Sequence, residues 1–65
     1  MSFAGFTAEF VFKVRQLGLT DLELRREFRM SQPALERWKE GTSAPHPGMQ
    51  IAVLKWLDEQ LLKKP

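Results

Sequence analysis

Two helix-start signals lying only eleven residues apart constrain this chain more than any other feature. Thr20-Asp21-Leu22-Glu23 has the Thr-x-x-Glu spacing of a capping box, in which a hydroxyl and a carboxylate each satisfy a backbone N–H left open by the first helical turn. Asp21 and Glu23 also put negative charge at the positive end of the helix dipole. Ser31 then opens a second unit, with Pro33 in a first turn where a missing N–H costs little. Between the two starts there is room for one short helix, about 21–28, carrying Leu24 and Phe28 as an i, i+4 apolar pair. Arg29 and Met30 alone remain to turn the chain.

The same punctuation divides the rest of the sequence. Thr7 is a candidate N-cap for a first helix, about 8–16, with Phe10, Val14 and Leu17 at helical spacing and Gly18 as its stop. A third helix, about 32–40, turns Leu35 and Trp38 inward and ends at Gly41. Residues 42–48 form a loop, and Pro47 introduces a fourth helix, about 48–62. The apolar residues of that last segment do not fall on one stripe: Ile51, Leu54 and Leu62 point one way, and Val53, Trp56 and Leu57 another. A helix apolar on two sides has two things to bury against. The expected architecture is an all-α, small four-helix domain formed by residues 1–65, without repeats or linkers.

At 65 residues, such a domain buries only about 60% of its unfolded surface. Small scaffolds usually need a staple. There is no cysteine, and His46 is the one histidine, so neither a disulfide nor a zinc site is expected. Good helix packing and self-association remain, and a homodimer touching through Val53, Trp56 and Leu57 is the expectation; Trp56 reads equally as core. No apolar run reaches the roughly 18–20 residues of a membrane span, and residues 1–6 lack the basic region of a signal peptide. The expected location is cytoplasmic, with no membrane partner; the lack of cysteine fits a reducing compartment. Phe3 and Phe6 precede the first helix and are read as covering an apolar groove.

Net charge is only +2, but it is unevenly spread. Arg25, Arg26, Arg29, Arg37 and Lys39 face only Glu27 and Glu36 within residues 25–39, a local excess of +3. A localised basic patch is the footprint of phosphate binding, although on charge alone a solvated helix face is the simpler reading. The capped helix, tight turn and second capped helix make a helix-turn-helix layout. A tight turn makes the second helix cross the first steeply and project, and a major groove about 12 Å wide admits one α-helix.

Over about residues 7–62 the sequence resembles the lambda-repressor and Cro-like family of helix-turn-helix regulators. The residues that carry the likeness are Leu17-Gly18-Leu19-Thr20, Leu24, Phe28, Ser31-Gln32, Leu35, Trp38, Gly41 and Pro45. The tail is similar to phage CII-type activators in Arg37-Trp38-Lys39 and in Ala52-Val53-Leu54-Lys55-Trp56. Two positions depart from the family pattern. Arg25 stands where a small residue is usual, and its stem is expected to bend out and leave the guanidinium in solvent or on a phosphate. Arg29 stands where glycine is common in the turn, and a left-handed conformation there costs a non-glycine residue roughly 1 kcal/mol.

The resemblance implies base reading in duplex DNA by Gln32, Pro33 and Arg37. Gln32 suits adenine, Arg37 suits guanine or a phosphate, Pro33 suits a thymine methyl, and Glu36 suits a cytosine amino group. Arg26, Arg29, Ser31, Thr42 and Ser43 are the phosphate candidates, helped by the dipole of the third helix. Each has a plainer reading: Gln32 as a polar helix start, Arg37 as partner of an acidic neighbour, Ser31, Thr42 and Ser43 as caps and loop polars. Trp38, three residues from Leu35, reads as core rather than as a stacking platform. No acidic residue is placed to orient His46, so a nucleophilic triad lacks support; no enzyme activity, cofactor or metal is expected. The sequence thus points to a homodimeric, nucleoid-associated transcriptional regulator of phage or prophage type, repressor or activator. The rival is a protein-interaction module, antitoxin-like or an adaptor, docking through residues 48–62.

Overall fold

The computed structural model describes residues 4–63. Four helices follow one another: α1 (Ala4–Leu17), α2 (Asp21–Phe28), α3 (Gln32–Glu40) and α4 (Pro47–Lys63), with no strand among the described residues. The expected α2 and α3 match in both bounds, and α4 is one residue longer at each end. In α1 the expectation needs correction, because the helix begins at Ala4 rather than after Thr7.

The reason is packing. Phe6 lies inside α1, not before it, and is buried with Phe10 one turn on. Their rings stack at 5.5 Å. Both meet Trp38 of α3 edge-on, at 5.7 and 5.6 Å. Burying an extra aromatic ring outweighs the modest value of a threonine cap. Thr7 therefore sits within the helix, half-buried, with an Oγ1 that has no hydrogen-bond partner. Phe3 lies outside the described residues.

The core comprises Phe6, Phe10, Leu24, Leu35, Trp38, Val53 and Leu57. It draws on all four helices. Phe28 of α2 lies 6.3 Å from Trp38 and contacts Trp56 of α4 edge-on at 5.4 Å. An aromatic path thus runs from α1 through α3 and α2 to α4. Val53 and Leu57 are fully buried inside the chain, so they offer no surface to a second copy, which corrects their expected role as dimer contacts. Trp56 is half-buried on Phe28. Of the two apolar rows on α4, the core takes the one containing Val53 and Leu57. The other leaves Ile51 69% and Leu62 86% exposed.

Polar contacts complete the frame. Lys13 of α1 bridges Glu9 on its own helix and Asp58 of α4. The hydrogen bonds it donates to Asp58 and then to Glu9 hold its ammonium above the usual lysine range. Ahead of α4, His46 Nδ1 accepts the Gly48 N–H at 3.1 Å, and the Gln50 amide donates to the Pro45 carbonyl at 2.9 Å.

Trp38→Ala removes the ring that α1, α2 and α3 share. Such a truncation costs about 3–5 kcal/mol, comparable to the lower part of a small domain's total stability of about 5–15 kcal/mol. Urea denaturation followed by circular dichroism should find this variant largely unfolded, while Trp38→Phe keeps a cooperative transition.

Candidate nucleic-acid interface

The capping box forms as its spacing requires. The Glu23 N–H donates to Thr20 Oγ1 and the Thr20 N–H donates to Glu23 Oε1, both at 3.2 Å. α2 ends at Arg29, whose φ of 50° and ψ of 57° are left-handed. Its N–H, and that of Met30 at 3.0 Å, both close onto the Arg25 carbonyl. Gly41 closes α3 on the Arg37 carbonyl in the same way, with φ of 81°. Arginine therefore performs at the first closure what glycine performs at the second, and the turn residue expected to be strained is the one that is. Ser31 caps α3 by accepting the Ala34 N–H at 3.3 Å.

Leu35 and Trp38 anchor α3 in the core, which turns Pro33, Glu36, Arg37 and Glu40 into solvent. Arg26, Arg29, Ser31 and Thr42 are exposed as well, and Ser43 is half-buried. Among the described residues Arg26, Arg29 and Arg37 form no ion pair, so Arg37 is not the partner of an acidic neighbour. The Thr42 hydroxyl and N–H both turn back to the Arg37 carbonyl, at 3.4 and 3.1 Å. Arg25 departs from expectation: it is half-buried rather than bent fully outward, and its Nε is enclosed without a partner.

Gln32 is not free. Its Nε2 donates to Asp21 Oδ2 at 2.9 Å and to Glu36 Oε1 at 2.7 Å. Asp21 in turn takes Lys39 Nζ at 3.0 and 3.2 Å. The first residue of α2 thereby clasps two positions of α3, and this clasp is what sequence reasoning missed. Capping accounted for Asp21, and partners 11 and 18 residues away leave no mark in spacing. The hydrogen bond from Gln32, then that from Lys39, holds the Asp21 carboxyl below its usual range. A groove of about 380 Å³ is lined by Asp21 and Lys39 together with Phe10, Val14 and Leu19; none of the base-reading candidates lines it.

No protein-family model matches the chain, and neither a curated protein nor a solved structure is detectably similar to it. Among the described residues no helix is long and apolar enough to cross a membrane, and no group of three His, Cys, Asp or Glu side chains could hold a metal.

Two outcomes follow from this geometry. Because the folded carboxyl of Asp21 titrates lower than an unfolded one near 3.9, its stabilisation is complete above that value and is lost as pH falls through the lowered one. The thermal midpoint of wild type should therefore drop faster below pH 4 than that of Asp21→Asn. At the turn, Arg29→Gly removes a left-handed side chain at the cost of a looser unfolded state. Its stability should stay within about 1 kcal/mol of wild type, whereas Arg29→Val should melt clearly lower in the same scan.

Proposed function

We propose that the chain is a sequence-specific double-stranded DNA-binding transcriptional regulator of phage or prophage type, acting as a homodimer. In this reading α2, the turn at Arg29 and α3 are its helix-turn-helix, with α3 in the major groove. The observation that carries it is the outward row of α3. Pro33, Glu36 and Arg37 stand clear of the core, and Arg26, Arg29 and Arg37 are all exposed and without an ion pair among the described residues. Free guanidinium groups are what phosphate neutralisation and guanine recognition require. Glu36 and Glu40 on the same side repel phosphate, so affinity falls to the flanking arginines and the α3 row supplies discrimination. Ser31 and the first turn of α3 add a helix dipole pointed at the backbone. The resemblance to Cro-like regulators supports the same assignment. The small core of the described residues supports self-association, and Ile51 and Leu62 are exposed apolar residues of α4 left for it.

A fluorescence-anisotropy titration over salt, on duplex selected from a random pool, tests the reading. Affinity should fall steeply as salt rises. Arg26→Ala should weaken all sequences alike and lower the salt slope by about one, and Arg37→Ala should cost about 1–3 kcal/mol on the selected site alone. Arg29→Gly, chosen to keep the fold, should weaken all sequences as Arg26→Ala does. Duplex affinity that is absent or indifferent to salt would transfer the assignment to an interaction module docking through Ile51 and Leu62.

A further inference from the structure

A primary amide carries two N–H donors, and both of those on Gln32 are engaged by carboxylates, Asp21 on one side and Glu36 on the other. The orientation of the amide is not arbitrary. Ionised carboxylates only accept, so turning Oε1 toward either would set acceptor against acceptor. Lys39 fixes Asp21 in place through both carboxylate oxygens. What Gln32 has left for an outside partner is Oε1. One turn further along the same side stands the exposed carboxylate of Glu36.

We propose that Gln32 and Glu36 together form an acceptor-only reading edge that selects cytosine, through its N4 amino group, in the base pairs under the first turn of α3. The proposal rests on the DNA-binding reading above and names the base that the site takes. In the major groove guanine presents N7 and O6 acceptors, and thymine presents O4 beside its methyl group. Both oppose an edge that only accepts. Adenine offers its N6 amino group, but between its own N7 and the O4 of the paired thymine. Cytosine offers N4 with only a C–H on its outer side, so the acceptor edge meets one opposing atom fewer. A glutamine with free donors would favour adenine, pairing with N6 and N7 together; the carboxylates remove that option here. Asp21 is a positioning residue, acting through Gln32.

The test is selection of bound sequences from random duplex DNA with the full chain, comparing wild type with Glu36→Ala and Glu36→Gln. Wild type should enrich cytosine at a position under α3. Glu36→Ala releases one N–H of Gln32 and should move the cytosine-to-adenine ratio at that position by about tenfold toward adenine, as expected for gaining a bidentate pair. Glu36→Gln adds a donor and should admit guanine there. Glu36 is solvent-exposed, so both variants should melt with wild type. Selection of guanine or adenine by wild type, or ratios unmoved in both variants while binding persists, overturns the acceptor edge and leaves DNA binding standing. No enrichment, together with no salt-sensitive duplex binding, overturns the DNA-binding reading and this inference with it.

Discussion

The indole of Trp38 is the point through which the fold holds together. Phe6 and Phe10 meet it from α1 and Phe28 from α2, and Phe28 passes the contact on to Trp56 of α4. Edge-to-face aromatic pairs add directional preference to area burial, so the cluster sets angles as well as distances between helices. In a chain too short to hold a second layer of core, this cluster decides which way each helix faces. It decides in particular that α3 is pinned by Leu35 and Trp38 along one side and free along the other.

The free side of α3 matters because of how α2 ends. A left-handed residue at Arg29 stops α2 abruptly, and Ser31 restarts the chain two residues later. The angle between the helices then comes from backbone geometry and the aromatic cluster, not from a flexible linker. Asp21 adds a polar clasp from the beginning of α2 to Gln32 and Lys39, so α3 is held from both ends of α2. Such fixing of α3 suits the proposed DNA-binding reading, since a side chain discriminates between bases only if its atoms are already in place. Two of the acidic residues act on Gln32 itself: Asp21 orients its amide, and Glu36 occupies one of its donors.

Much of the fold was legible in the residues. Thr20 and Ser31 marked the starts of α2 and α3, Gly18 and Gly41 marked stops, and Leu35 and Trp38 were correctly read as inward. These signals are local: a cap or a stop involves residues three to five apart. The misreadings concern surfaces. Thr7 looked like a cap because it is threonine, but Phe6 and Phe10 had a ring to pack on that no window of sequence displays. Val53 and Leu57 were separated from Ile51 and Leu62 by helical periodicity, which shows that there are two rows without showing which one faces the core. Gln32 and Glu36 were both named as readers, while the engagement of the Gln32 donors was not foreseen: Asp21 belongs to another helix, and the Glu36 contact four residues on was passed over.

By itself the sequence determined where the chain can be helical and where each helix must stop, since these follow from backbone hydrogen bonds satisfied within one or two turns. Only the tertiary structure decided which apolar row of α4 is buried, how far α1 extends, and which atoms of Gln32 remain free. The first two depend on partners eleven or more residues away, as does the Asp21 half of the third, and contacts at that range exist only after the helices have packed.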